Sequence, residues 1–349
     1  MRVCMVNDHF YRSSGAAMAI RRIAQSLPEV VYCVAGCEGD GRIEDLSWVG
    51  EQRYRRFQFK TANPIRLAME MARFRRWFKA NGCDLVHCHH RRIAVLMQLA
   101  GIPVLYTGQL VFGPATWFRW LHPRRMTAIS ASVAKNILET TGRPVLACIS
   151  NPAQFPAQAQ AVNVERVKNK AVCVARLEPV KGHTHLLAAW KLLRDRGHCY
   201  ELDLVGEGSL REKLEEQARR DGIEELIHFR GFTQDVAGIV DESLFAVLVS
   251  EYEGQGIVTL EAAAMGRASL LTAVPGSVDL LPPGRALRNG VEFQNVEELA
   301  DALEEWFGNP LATVEEGRRF YEFLKNSSDP VVVAREYANV YRQVLATSA

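Results

Sequence analysis

Apolar residues fall into two spacings along this chain. Short unbroken runs alternate with longer stretches in which apolar positions recur every three or four residues. Unbroken runs predict strands buried on both faces, and the wider spacing predicts amphipathic helices. Their alternation predicts an α/β architecture with parallel sheets. In the first half the runs predict strands at Val3–Val6, Val30–Val34, Leu85–Cys88, Val104–Tyr106, Ala128–Ile129 and Val145–Ile149, with helices at Ala16–Ser26 and Ile65–Ala80 among others. The segment Asn151–Ala161 (NPAQFPAQAQA) has two prolines, no charge and no periodicity, and reads as a domain connection. The alternation then restarts. Strands are expected at Ala171–Val174, Tyr200–Val205, Ile227–Phe229, Phe245–Val249 and Ser269–Leu271. Helices are expected at His183–Arg196, Leu210–Asp221, Asp235–Asp241 and Ile257–Met265. An amphipathic helix near Pro330–Leu345 ends the chain and is expected to pack back on the first domain. The reading is two doubly wound domains, 1–155 and 156–329, followed by a terminal helix at 330–349.

A length of 349 residues agrees with two domains of ordinary size. No apolar run approaches the roughly 18 residues of a spanning helix. The opening MRVCMVNDHF soon meets Asp8 and His9, so it reads as a buried first strand rather than a signal peptide. The 8 cysteines are scattered without a C-x-x-C pair, and Cys4, Cys33, Cys148 and Cys173 sit in apolar runs. That usage fits reduced thiols acting as small hydrophobes, hence a cytoplasmic protein. Charge is split unevenly. Residues 1–150 carry 21 basic and 10 acidic side chains, a balance of +11, and the remainder carries 21 and 30, a balance of −9. A basic first half points to an anionic partner, such as a membrane surface, a phosphorylated acceptor or nucleic acid, or to attraction between the two halves themselves.

Chemistry concentrates in the second half. In Ser250–Gly266 (SEYEGQGIVTLEAAAMG) a strand runs into Glu253-Gly254-Gln255-Gly256 and then a helix that carries Glu261, eight residues after Glu253. Glycines let the backbone approach a ligand closely. Free amides at the helix start, near Gly256 and Ile257, suit a diphosphate. Carboxylates on either side suit the hydroxyls of a hexose and a ribose. The competing reading is an acidic loop before a core helix, with Glu253 favoured by the helix dipole. A second element is the strand-to-helix turn Ala175–Gly182 (ARLEPVKG). Arg176 offers a planar fork and Lys181 a point charge, a pair suited to a diphosphate leaving group. The alternative there is a solvated basic loop.

From about Lys170 to Leu303 the chain resembles the retaining glycosyltransferases of family 4, which have the GT-B fold. The segments ARLEPVKGHTHLLAAW, LDLVGEGSLREKLEEQA, IHFRGFTQDV, SEYEGQGIVTLEAAAMG and GSVDLLPPG carry the resemblance, in family order and spacing. It implies two Rossmann-like parallel-sheet domains facing a central cleft. It implies that Glu253 touches the donor hexose, Glu261 the ribose, and Arg176 and Lys181 the diphosphate, with Gly231–Phe232 lining the base. The first half matches more loosely. DLVHCH at Asp84–His89 resembles the family's DVVHxH strand, and Gly101–Val104 the GiPvv strand. Ser14-Gly15 stands where the family has a small-residue loop near the reacting phosphate, so Gly15 joins the donor site. Thr107-Gly108-Gln109 places Gln109 where many members have a histidine near the acceptor. A glutamine hydrogen-bonds but takes no proton, which argues against acid/base chemistry at that position.

The run His87-Cys88-His89-His90 invites a zinc reading. Consecutive strand residues point to opposite faces and do not converge on one ion. His89 is expected instead to line the acceptor side, with Gln109. No D-x-D loop motif occurs, and Glu201-Leu202-Asp203 lies within an expected strand. Transfer without a metal or other cofactor is the expectation. Basic and aromatic residues interleave at Arg53–Lys60, Arg73–Lys79 and Trp117–Arg125. They read either as a membrane-surface helix or as solvated faces with aromatics in the core. No nucleic-acid module is recognisable. The resemblance thus implies a retaining hexosyltransferase using a UDP- or GDP-sugar. Its acceptor would be a glycan or lipid-linked molecule of envelope polysaccharide or lipopolysaccharide assembly, met at the inner face of the cytoplasmic membrane. A nucleotide-sugar epimerase of the same architecture and a catalytically silent sugar-binding subunit are the rivals.

Overall fold

The structure is a computed structural model, and it describes residues 1–7, 15–27, 30–37, 54–110, 122–284 and 290–347. The chain forms two units, one of residues 1–152 with 330–349 and the other of residues 153–329.

In the first unit the elements are β1 (Arg2–Asn7), α1 (Gly15–Ser26), β2 (Val31–Cys37), β3 (Tyr54–Phe57), α2 (Pro64–Ala80), β4 (Leu85–Cys88), α3 (Arg91–Leu99), β5 (Val104–Gly108), β6 (Met126–Ala128), α4 (Ala131–Thr141) and β7 (Ala147–Cys148). Their strands make one parallel sheet ordered β3-β2-β1-β4-β5-β6-β7. Side-chain alternation along β1 sorts the core into two layers. Cys4 and Val6 pack with residues of α2, α3 and α4. Val3 and Met5 pack on the other face with α1 and with the last helix of the chain, here α12 (Pro330–Ala346). Helix starts follow from local chemistry. Asn63 caps α2 by accepting from the amides of Ile65 (3.0 Å) and Arg66 (3.1 Å). Ser130 caps α4 through Val133, and Gly142 at φ 68° ends it.

Two local expectations are corrected here. The stretch Arg53–Lys60 is not a helix lying on a surface; Tyr54–Phe57 is an edge strand. Phe57 and Phe59 point inward at alternate positions and meet Phe74, with ring centroids 5.1 and 5.4 Å away. Phe74, Trp77 and Phe78 of α2 are likewise buried, so these five aromatics belong to the core, while Arg55, Arg56, Lys60, Arg75, Arg76 and Lys79 are exposed. Cys148 is exposed, because β7 is the sheet's other edge, while Cys4 and Cys173 are buried. The Cys33 side chain and most of Trp117–Arg125 lie outside what the structure describes.

The second unit contains α5 (Val164–Val167), β8 (Lys170–Val174), α6 (His183–Asp195), β9 (Glu201–Val205), α7 (Arg211–Arg220), β10 (Ile227–Gly231), α8 (Val236–Asp241), β11 (Phe245–Leu248), α9 (Ile257–Ala264), β12 (Ser269–Thr272), β13 (Gly290–Val291), α10 (Val296–Gly308) and α11 (Pro310–Ser328). Its parallel sheet is ordered β10-β9-β8-β11-β12-β13. Chain order reverses between β8 and β11, as it does between β1 and β4 in the first unit. In doubly wound sheets that reversal opens a crevice at the carboxyl ends of the two strands. The segment from Ala153 is strapped down: Ala153 is fully buried, and the carbonyl of Pro156 accepts from the Tyr321 hydroxyl at 2.5 Å. Among the described residues no helix is long and apolar enough to cross a membrane.

Candidate functional site

The crevice between β8 and β11 collects the second half's chemistry. Leaving β8, the chain passes exposed Arg176 and buried Leu177, makes a short turn at Pro179–Lys181, and enters α6 through Gly182. Gly182 adopts φ 68°, and a Cβ there would sit 2.1 Å from the carbonyl oxygen of Val249. Only glycine lets this turn lie against the end of β11. The amide of Glu251 donates to the carbonyl of Val180 at 2.9 Å and closes the contact. On the other flank, a Cβ on Gly276 (φ 86°) would lie 2.3 Å from the carbonyl oxygen of Glu253. The loop bearing Glu253 is therefore clamped between two glycine turns.

Glu253 is 8% exposed. Its Oε1 accepts from the Ser250 hydroxyl at 2.8 Å and from the Lys181 ammonium. Ser250 is itself fixed, since its carbonyl accepts from the Thr272 hydroxyl at 2.6 Å. Both donors meet the same oxygen, and a carboxylate holds about four lone-pair sites, so acceptor capacity remains on Oε2. Gly256 caps α9 without a side chain, so the amides that open this helix are not consumed by a capping oxygen. Its own close neighbours are Leu248 and Thr259, at 2.9 and 3.2 Å from a Cβ. Glu261 is half-buried on the second turn of α9, and Gln255 is buried beside the glycines.

Lys181 and Glu253 are thus in direct contact, whereas the Arg176 side chain stands exposed at the start of the turn. Glu178, in the same turn, is held by Ser209: its hydroxyl donates at 2.8 Å and its amide at 3.3 Å, which lowers the carboxyl below its ordinary range. Behind the turn, His183 is fully buried with Nε2 3.8 Å from the Cys173 sulfur. Burial pulls His183 down to about 4, aided by the Lys181 charge, and pushes the Cys173 thiol up to about 12. Gly231 (φ 67°) ends β10 and Phe232 follows it, and the Gly231 carbonyl accepts from the Gly206 amide at 2.9 Å. Phe232 is 56% exposed, an open aromatic face at the strand's carboxyl end. Asp203 is a structural acid: Arg230 donates to it at 2.9 Å and Lys170 lies 3.8 Å away.

In the first unit, His89 directly follows β4 and Gln109 directly follows β5, and the Gln109 amide lies 2.9 Å from His89 Nδ1. His89 is 8% exposed, and burial lowers it to about 3, so it is neutral at physiological pH. Gly15 opens α1, and Ser14 lies outside the described residues. Sequence reasoning missed Ser250, Thr272 and Gly276. Ser250 has a local signal, a hydroxyl three residues before Glu253; the others depend on neighbouring loops.

Tandem doubly wound parallel sheets with polar groups gathered at each reversal of strand order define the GT-B class. The solved structure of Anabaena HepE in complex with UDP superposes with a TM-score of 0.80, covering 98% of this chain and 100% of that one at 17% identity. Residues 168–309 match the model of the family described as Glycosyl transferases group 1. An uncharacterized glycosyltransferase of Haemophilus influenzae is 30% identical over 149 residues, 42% of this chain and 41% of that protein, so the matched stretch spans less than half of this relative. The putative glycosyltransferase EpsF of Bacillus subtilis is 24% identical over 298 residues, 76% of this chain and 74% of that protein.

Proposed function

We propose that the chain is a retaining glycosyltransferase that moves a hexose-type sugar from a nucleotide diphosphate donor to a glycan or lipid-linked acceptor. The observation that carries the reading is Glu253, a nearly buried carboxylate oriented by Ser250 and Lys181 beside the uncapped amides of α9. In this reading the diphosphate lies on those amides and on Arg176, the ribose on Glu261, and the hexose hydroxyls on Glu253. Gly254, Gln255 and Ile257 border the phosphates. Phe232 and the Gly231 backbone line the base. His89 and Gln109 serve the acceptor.

Charge develops on the leaving diphosphate as the glycosidic bond breaks. Arg176, Lys181 and the helix amides stabilise it there, a preorganised electrostatic role that needs no metal ion. The acceptor hydroxyl attacks on the face the leaving group vacates, and its proton passes to a donor phosphate oxygen, which retains the anomeric configuration. A UDP-sugar is the first donor to test, since HepE was solved with UDP, and a GDP-sugar the second. The basic balance of residues 1–150 favours an acceptor in envelope polysaccharide or lipopolysaccharide assembly at an anionic membrane face.

The test is thermal stabilisation by UDP-, GDP-, ADP- and CMP-sugars, with and without EDTA. One nucleotide class should raise Tm irrespective of EDTA, and Glu261→Ala should abolish the shift. Nucleotide release should depend on acceptor. Acceptor-independent conversion of the donor would instead identify an epimerase, and donor binding with no turnover a silent subunit.

A further inference from the structure

A buried polar chain connects α12 to the end of β4. His87 has zero exposure and lies on the face of the first sheet that α12 covers. Its Nδ1 is 2.8 Å from the Tyr341 hydroxyl and its Nε2 is 2.7 Å from the Thr107 hydroxyl. Thr107 continues to Thr127 at 2.7 Å and to the Tyr337 hydroxyl at 3.4 Å. With both ring nitrogens bonded, the His87 imidazole is fixed in orientation, and either tautomer is satisfied because both partners are hydroxyls. His89 lies two residues on, on the same face, and the two rings pack with centroids 4.5 Å apart. His89 Nδ1 is taken by Gln109 at 2.9 Å, whereas its Nε2 is buried with no partner among the described residues.

A buried ring nitrogen without a partner is costly, and such groups in native structures call for a ligand or an ordered water. We propose that Tyr341, supported by Tyr337, is a positioning residue that acts through His87 to fix the His89 ring, so that His89 Nε2 hydrogen-bonds a hydroxyl of the sugar acceptor. This rests on the acceptor role given above to His89 and Gln109. A hydroxyl is the matching chemistry because it donates and accepts, and so satisfies either tautomer of a neutral imidazole. Burial lowers His89 to about 3, which makes its imidazole a weak base, so its contribution is to orient the hydroxyl rather than to remove its proton. The two residues at the ends of this chain, Tyr341 and His87, are 254 positions apart.

The experiment compares the full-length protein with Tyr341→Phe, which keeps the ring and deletes the hydroxyl, by nitrogen-15 NMR of the histidine side chains. Methyl glucoside and methyl galactoside at millimolar concentration serve as hydroxyl probes. The His89 ring signals should move in Tyr341→Phe without any probe. In the wild type the probes should perturb His89, and their apparent affinity should weaken about fivefold in the variant, the loss of one ordinary hydrogen bond's worth of ordering. A variant whose Tm falls while its His89 signals stay put shows a purely structural Tyr341 and overturns the proposal. Probes that leave wild-type His89 unmoved overturn its ligand. Tyr337→Phe provides the same comparison should Tyr341→Phe not fold. Donor binding, read as the nucleotide-sugar shift in Tm, reports the second unit alone. Its absence would defeat the transferase reading without altering the NMR outcome.

Discussion

A carboxylate that receives a hydroxyl-rich ligand must be held in place while keeping acceptor capacity free. Glu253 meets both needs, because Ser250 and Lys181 converge on one oxygen. The side chains of Lys181 and Glu253 are only 19% and 10% exposed, so each neutralises a charge that would be expensive alone. Two predictions belong to this scale. Glu253→Gln should destabilise the second unit by about 1–3 kcal/mol, since it leaves the ammonium half-buried without its counter-charge. Adding Lys181→Met should restore most of that loss while turnover stays abolished. Urea unfolding and initial rates on the two single variants and the double variant give the cycle, and equal, additive losses would show that the pair carries no coupling. Ser250→Ala removes a hydrogen bond to a charged group, about 1.5–3 kcal/mol. Up to about a hundredfold loss in kcat/KM should therefore accompany a modest change in Tm, and an unchanged kcat/KM would remove Ser250 from the site. The acidic and basic residues themselves were legible in the sequence by their spacing. Their mutual contact was not, since spacing within two separate turns does not specify that Gly182 brings those turns together.

At the scale of elements, the strands were legible wherever both faces are buried. Val3–Val6 and Phe245–Leu248 announce themselves as unbroken apolar runs. Edge strands were legible unevenly: the expected Val145–Ile149 and Ile227–Phe229 contain or open β7 and β10, whereas β3 and β13 were missed. Tyr54–Phe57 carries Arg55 and Arg56, so its sequence imitates a basic amphipathic surface, although Phe57 and Phe59 follow a period of two into the core. β13 has two residues, too few for any period to show. The amphipathic pattern of α12 led to the expectation that it packs on the first unit, as it does, but its particular partners, such as Tyr341 with His87, are set by packing over the whole chain. The glycine turns that make the site are testable as elements. A Cβ on Gly197 (φ 90°) would meet open space, with nothing within 4 Å, whereas one on Gly182 (φ 68°) would clash at 2.1 Å. Gly197→Ala should cost only the conformational penalty of about 1–2 kcal/mol. Gly182→Ala should cost clearly more and abolish the nucleotide-sugar shift in Tm, because the turn must leave Val249. Equal urea midpoints for the two variants would show that the turn is not clamped.

At the scale of the whole molecule, His87, His89 and His183 are buried in neutral form and link stability to pH. His87, through burial and then the neighbouring His89, lies well below its ordinary value. Burial brings His89 to about 3 and His183 to about 4. In the unfolded chain each titrates near 6.5. Between that pH and its folded value, each histidine binds a proton only when unfolded, so stability is fully present above about pH 6.5 and falls as the pH drops. The loss is about 1.4 kcal/mol per pH unit for each such histidine. His87 and His89 belong to the first unit and His183 to the second, so the contribution of these three to acid sensitivity is about twice as steep in the first unit. Urea unfolding between pH 6.5 and 4.5 should show it. His89→Gln, which keeps a polar side chain that does not titrate, should flatten the first unit's slope by about 1.4 kcal/mol per pH unit and leave the second unit's slope alone. An unchanged first-unit slope would mean that His89 takes up its proton in the folded state, and the neutral imidazole that faces the acceptor hydroxyl would then be the wrong species.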